Sequence, residues 1–326
     1  MDIAVIGSNM VDLVTYTARM PQLGETLAGQ DFQMGCGGKG ANQAIAASRL
    51  GSQVLMLTRV GEDLFAQNTV RNFEENGIDT RYVLSTSGPS GVAPIFVDEQ
   101  GRNSILIVKG ANDLFTPADI DAARDEISRC RLIVLQLEVP LETVYHAILT
   151  GQELGIPVLL NPAPATPELD YARIATVDWF MPNESELALL TGLPTATLDE
   201  VEAAARSLVG KGMRNVVVTL GERGVLWLSA EEKHLVEPVS VQAVDTTGAG
   251  DAFIGCFSHA LVSGKEALEA LRLANAYAAD SVTRRGTQTS YATAEGLAST
   301  RRTPVISAAQ RISSSSVAST ISTVTT

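Results

Sequence analysis

Short, wholly apolar runs alternate along this chain with longer stretches in which apolar residues recur at helical spacing. Ile3-Ala-Val-Ile-Gly7 opens it as a strand. Leu132-Ile-Val-Leu-Gln-Leu137 precedes a helical segment from Leu141 to Leu154, and Ile156-Pro-Val-Leu-Leu160 follows it. Asn215-Val-Val-Val-Thr-Leu220 comes after a helix spanning about Leu198 to Lys211. Strands apolar at nearly every position are buried on both faces, and amphipathic helices between them supply the cover. The pattern therefore predicts an α/β fold with a doubly wound, mainly parallel sheet. Two segments break it: Ser90-Gly-Val-Ala-Pro-Ile-Phe-Val97 and Asn103-Ser-Ile-Leu-Ile-Val108, with Gly101 between them, read as a hairpin.

Two glycine clusters carry the candidate chemistry. Asp245-Thr-Thr-Gly-Ala-Gly-Asp251 runs into the apolar Ala252-Phe-Ile-Gly-Cys-Phe257, which reads as the start of a buried helix. Gly248 and Gly250 allow close backbone approach, and unpaired N–H groups at the helix start make an anion site. Asp251 sits at that site, where a carboxylate can take a proton from an attacking hydroxyl. The same residues also suit a glycine-rich turn with an Asp in the first helical turn. The second cluster, Met34-Gly-Cys-Gly-Gly-Lys-Gly-Ala-Asn-Gln43, opens a helix from Ala41 to Leu50, closed by Gly51. Lys39 is followed by Gly40 rather than Ser or Thr, so this is no Walker A loop, and Ser8-Asn-Met-Val-Asp12 after the first strand lacks the dinucleotide spacing. Gly38, Lys39 and Asn42 offer N–H, ammonium and carboxamide groups suited to sugar hydroxyls. The alternative is glycine for tight packing beside a solvated lysine.

Gly37-Gly-Lys-Gly-Ala-Asn-Gln43, Asn161-Pro-Ala-Pro164, Pro182-Asn-Glu-Ser-Glu186 and Asp245-Thr-Thr-Gly-Ala-Gly-Asp251 together resemble the ribokinase family of sugar kinases. The likeness runs from about Asp2 to Tyr291, and within the family it is greatest to the members that phosphorylate ribose and 2-deoxyribose. It implies a ribokinase-like fold over residues 1–298, with a small β-sheet lid from about 13–33 and 90–109. It also implies ATP as phosphoryl donor, Mg²⁺, K⁺, and a homodimer formed through the lid.

Composition agrees. The 326 residues, 45% hydrophobic, suffice for a large core. A net charge of −13 disfavours nucleic acid and anionic membrane as partners, and it makes local positive groups and helix termini necessary for binding ATP. No apolar stretch reaches membrane-spanning length, and Met1-Asp2 leads straight into a strand, so neither a span nor a signal peptide is expected. Cys36, Cys130 and Cys256 show neither disulfide-framework nor zinc spacing, which points to a reducing, cytoplasmic setting. His146, His234 and His259 lack metal-ligand spacing. From residue 299 to 326 the chain is rich in Ser and Thr and is expected to be disordered. The closing helix that relatives carry after the equivalent of Tyr291 is expected to be absent or altered.

The resemblance assigns roles residue by residue. Asp251 is the general base, and the N–H groups of Thr247, Gly248, Ala249 and Gly250 form the anion hole. Asn183 and Glu186 hold waters around Mg²⁺, although their spacing equally suits a helix cap with its capping-box partner. Asn183, Thr219, Gly221, Gly248, Gly250 and Asn275 contact the nucleotide. Asp245, the Thr247 carbonyl, Ser281, Arg284, Gly286 and Ser290 surround K⁺; without the resemblance, Arg284-Arg-Gly286 reads as a solvated turn. Asp12, Gly38, Lys39, Asn42 and Glu138 take the sugar, joined by Met10, which stands where ribose-phosphorylating members carry Asn. Met offers no donor to a hydroxyl at C2 but packs well against a CH₂, and 2-deoxyribose-phosphorylating members resemble this chain there. The implied substrate is 2-deoxy-D-ribose, phosphorylated at O5, with ribose poorer. Ribose as the preferred substrate, a nucleoside or hexose-phosphate kinase, and a sugar-binding regulator are the alternatives. An intact Asp251 argues against the regulator.

Overall fold

The computed structural model describes residues 1–100 and 102–300. Strand β1 (Ile3–Ile6) leads into β2 (Met10–Tyr16) and β3 (Asp31–Gly37), after which α1 (Lys39–Arg49), β4 (Val54–Val60), α2 (Leu64–Glu75) and β5 (Asp79–Ser85) follow. Strands β6 (Val92–Val97) and β7 (Asn103–Ile105) precede the short helices α3 (Pro117–Ala122) and α4 (Arg124–Ile127). Then come β8 (Leu132–Leu135), α5 (Leu141–Leu154), β9 (Val158–Leu160), α6 (Tyr171–Ile174), β10 (Trp179–Phe180), α7 (Glu184–Thr191) and α8 (Leu198–Val209). The remainder is β11 (Val216–Thr219), β12 (Val225–Leu228), β13 (Lys233–Val236), α9 (Ala249–Val262), α10 (Ala267–Ser281) and α11 (Ala294–Thr300).

Among the described residues the strands form two sheets. The large one has nine strands in the order β13-β12-β11-β10-β9-β8-β1-β4-β5, parallel from β5 to β11 and antiparallel at β12 and β13. Its apolar runs split residue by residue between two cores. Ala4 and Ile6 of β1 and Ile133 and Leu135 of β8 pack with α5 and α8, whereas Ile3, Val5, Leu132 and Val134 pack with α1, α9 and α10. Burial on both faces is why these strands carry no polar alternation. The doubly wound, mainly parallel α/β sheet expected from the sequence is the one observed.

The small sheet has the order β3-β2-β6-β7. Its expected hairpin forms between β6 and β7, with Val97 opposite Asn103, and a separate bridge joins Val92 to Val108. The first two strands reach further than 13–33: β2 begins at Met10 and β3 ends at Gly37, paired to each other. This extension brings Met10 and Asp12 onto one face of the small sheet, since alternate residues share a face. After Tyr291 a seven-residue helix, α11, is present, with Leu297 buried. The rest of the expected tail lies outside the described residues. No helix among the described residues is long and apolar enough to cross a membrane.

Helices α1 and α9 lie side by side and point the same way. Asp251 meets Asn42 and Gln43, and one turn on, a Cβ at Gly255 would lie 2.5 Å from Ala46 Cβ and 2.6 Å from the Gln43 carbonyl. Only glycine permits so close a crossing. Both helix N-termini therefore open at one place.

Candidate active site

At the start of α9, Gly248 has φ 74°, a left-handed value that disfavours any side chain. Its carbonyl accepts from the Tyr291 hydroxyl at 2.9 Å. Asp245 ties the loop down, its carboxylate accepting the N–H groups of Thr247 and of Gly286, each at 2.9 Å. Burial works to raise the Asp245 carboxyl, but these hydrogen bonds outweigh it and hold it below its ordinary pKa. Of the N–H groups expected to face an anion, that of Thr247 is thus spent, and that of Ala249 leans on the Thr246 carbonyl at 3.3 Å. The N–H groups of Gly248 and Gly250 have no partner among the described residues. They point the positive end of α9 at the site.

Asp251 is 6% exposed, in the first turn of α9. Asn42 Nδ2 donates to its Oδ2 at 2.9 Å, and Gln43 Nε2 donates to its Oδ1 at 3.0 Å. Gln43 also reaches Asn161 Oδ1 at 3.2 Å. Sequence reasoning assigned no role to Gln43 or Asn161, although both lie inside the motifs that carried the resemblance. Asn42, expected at the sugar, has its oxygen on Gln288 at 2.9 Å as well, so both ends of its carboxamide are engaged within the protein.

Lys39 is the first residue of α1, two positions earlier than the expected helix start. Gly38 supplies no side-chain cap. Buried Glu138 does so from across the sheet, its Oε2 accepting Lys39 N at 2.9 Å and the Ser8 hydroxyl at 2.5 Å. Burial pulls the Lys39 ammonium down, yet Asp251, Glu138 and Glu186 outweigh it and hold it above its ordinary pKa, so it stays charged. Asn183 and Glu186 form the capping box that their spacing allowed: Asn183 Oδ1 accepts Glu186 N, and Glu186 Oε2 accepts Asn183 N, both at 2.8 Å. Glu186 nevertheless belongs to the site electrostatically. Its carboxyl is raised, by burial first and less by Asp251, against the pull of its Asn183 hydrogen bond and of Lys39.

Asp12 is pushed up to about 7, by burial first, then by Glu138 and Asp251. That folded value exceeds the 3.8 of the exposed group, so ionising Asp12 opposes folding. The penalty is absent below about pH 4, grows through the window up to pH 7, and is complete above it. Asp12→Asn is expected to raise Tm by several degrees at pH 8 and to leave it nearly unchanged at pH 4, while the sugar KM rises about tenfold. Thermal melts across that range are the check. A gain that grows toward low pH would contradict the assignment.

Of the residues expected at the nucleotide, Thr219 closes β11 and donates its N–H to the Pro182 carbonyl at 3.1 Å, which sets it beside Asn183. Gly221 follows with φ 55° in a 3₁₀ turn, Gly221–Arg223. Asn275, on α10, donates to the Glu237 carbonyl at 2.9 Å just past β13. In the 281–290 segment the buried Ser281 hydroxyl donates to the Ala278 carbonyl at 2.8 Å, and Arg284 pairs with Asp280. Arg284 also covers the Ser290 carbonyl at 3.0 and 2.7 Å, so that oxygen already faces a cation.

A glycine-bounded helix start holding a buried carboxylate, beside a lysine among acids, is the arrangement of a phosphotransferase acting on an alcohol. Residues 1–294 match the pfkB family of carbohydrate kinases. The deoxyribokinase of Salmonella typhi is 58% identical over 296 residues, covering 90% of this chain and 97% of that protein. Mus musculus ribokinase is 39% identical over 295 residues, covering 89% and 91%. Among solved structures, Thermotoga maritima ribokinase superposes with a TM-score of 0.86 at 34% identity, covering 93% of this chain and all of that one. Arabidopsis thaliana ribokinase complexed with ribose and ATP gives 0.85 at 30%, covering 93% and 99%. The chain belongs to the pfkB family of carbohydrate kinases. It is an ATP-dependent sugar kinase of the ribokinase type.

Proposed function

We propose that this kinase transfers the γ-phosphate of ATP to the 5-hydroxyl of 2-deoxy-D-ribose, with ribose as a poorer substrate. The observation that carries this reading is Met10, 2% exposed at the start of β2 and on the same face as Asp12. A ribose 2-hydroxyl set against its thioether is left without a hydrogen bond, whereas the CH₂ of 2-deoxyribose packs there without loss. The 58% identity to a deoxyribokinase supports the same substrate.

In this reading Asp12, Gly38, Lys39, Asn42 and Glu138 hold the sugar, and Asp251 removes the proton of its primary hydroxyl. The N–H groups of Gly248 and Gly250 face the charge that develops on the transferred phosphoryl group. Asn183, Thr219, Gly221 and Asn275 line the nucleotide side. Mg²⁺ neutralises phosphate charge when bound with ATP. Glu186 suits it, since its Oε1 accepts no hydrogen bond among the described residues. For K⁺, the carbonyls of Thr247, Arg284 and Gly286 are similarly uncommitted, and carbonyl oxygens suit a large, weakly hydrated cation. Asp245, Ser281 and Ser290 instead brace the segment through hydrogen bonds within the protein. The small sheet exposes Phe32 and Met34, and the segment after β7 exposes Leu106 and Ile107, apolar surface suited to a homodimer of two lids. A reducing, cytoplasmic setting accords with three cysteines that no disulfide joins.

The test compares kcat/KM for ribose and 2-deoxyribose in the parent and in Met10→Asn. The parent is expected to prefer 2-deoxyribose by roughly ten- to a hundredfold, and the variant to move toward ribose. A parent that prefers ribose, or a variant whose ratio does not move, refutes the proposal. The same preparation, assayed in K⁺ and in Na⁺ buffer and sized by light scattering, checks the ion and the dimer.

A further inference from the structure

Asp251 lies where two series of carboxamides meet. On one side Asn72 Nδ2 donates to Gln288 Oε1 at 2.8 Å, Gln288 Nε2 to Asn42 Oδ1 at 2.9 Å, and Asn42 Nδ2 to Asp251 Oδ2 at 2.9 Å. On the other, Gln136 Nε2 donates to Gln43 Oε1 at 2.7 Å, and Gln43 Nε2 to Asp251 Oδ1 at 3.0 Å. A carboxamide fits its pocket either way round, so something must decide which end faces which neighbour. A carboxylate only accepts. Asn42 and Gln43 must therefore turn their nitrogens toward Asp251, and their oxygens then need donors behind them. Gln288 and Gln136 are those donors.

Two further details show that the direction is imposed. The Gln136 oxygen is buried with no partner among the described residues, so its nitrogen is committed to Gln43 although the other end goes unsatisfied. Gln288 is held from two helices, since its carbonyl accepts from Arg49 of α1 while its side chain accepts from Asn72 of α2.

We propose that Gln288 and Gln136 are positioning residues for phosphoryl transfer, each fixing the orientation of the amide that donates to Asp251. Neither touches the reacting atoms. Without the Gln288 donor, the Asn42 oxygen loses its partner, and the side chain loses the anchor that holds its plane against Asp251. Without Gln136, Gln43 loses the donor behind its oxygen and is held at its nitrogen end alone, by Asp251 and Asn161. The carboxylate then loses the fixed plane from which its remaining lone pairs meet the sugar hydroxyl. The inference rests on Asp251 being the base.

The experiment is a pair of double-mutant cycles. Gln288→Met and Gln136→Met, which keep side-chain length and remove the amide, are each made in the parent and in Asp251→Asn. In the parent, each is expected to lower kcat about tenfold with the KM for ATP unchanged. In the Asp251→Asn background, each is expected to change kcat by less than about twofold, because the carboxylate that it serves is gone. Equal losses in the two backgrounds would show that the amides merely hold the structure, and would overturn the proposal. So would the absence of any loss in the parent. Should Gln288→Met fail to fold, the Gln136 cycle alone decides. Near-normal turnover in Asp251→Asn by itself removes the base, an outcome separate from either glutamine result.

Discussion

Asp251→Asn is expected to lower kcat by about 10²–10⁴-fold, with the KM for sugar changed only a few-fold. The replacement has the same shape and keeps an oxygen for one of its two donors, Asn42 and Gln43. The other donor then faces an amide nitrogen, a local conflict that leaves α9 and the core packing of Phe253 and Phe257 in place. Binding persists and proton removal does not, so the loss falls on kcat. Steady-state kinetics beside a thermal melt separate this from unfolding. Turnover near that of the parent would exclude Asp251 as the base.

Gly248→Ala is expected to cost about a hundredfold or more in kcat/KM for ATP. The reason is geometric twice over. The backbone sits at φ 74°, and a Cβ there would collide with Thr287 Cγ2 and lie 2.6 Å from the Tyr291 hydroxyl. Either the loop shifts or the 287–291 segment gives way, and both carry the uncommitted N–H groups off their aim. At Gly250 a Cβ meets nothing within 4 Å, so Gly250→Ala serves as the contrast. Any loss in that variant reports a clash with the bound nucleotide rather than with the protein. Gly248→Ala enzyme within about threefold of the parent would refute a phosphate site at this loop.

Elements closed by local chemistry were legible to the residue. Helix α5 runs from Leu141 to Leu154 as its apolar spacing predicts, because Pro140 starts it and Gly155, at φ 67°, stops it. The Asn183–Glu186 capping box was readable for the same reason, its parts lying three residues apart. What the sequence hides is chemistry brought from afar. Helix α1 starts two residues before Ala41 because its cap is Glu138, 99 positions from Lys39. The carboxamides of Gln43, Gln136 and Gln288 look like ordinary polar residues until the fold gathers them around Asp251. Likewise Asp12 has an unremarkable carboxyl in the sequence, and only burial beside Glu138 and Asp251 moves its titration to about 7.

Met10 and Asp12 stand on β2 of the small sheet, while Asp251 and the two amides that donate to it, Asn42 and Gln43, stand on helices packed against the large one. For anyone wishing to redirect the enzyme, that division separates two searches. On the proposed reading, randomising positions of β2 and its neighbours β3 and β6 that share a face with Met10 and Asp12 is expected to alter which acceptor is welcomed, without disturbing the helix start proposed to move the phosphoryl group. Selections for a new sugar are best confined to those strands, and selections for faster turnover to the α1 and α9 N-termini.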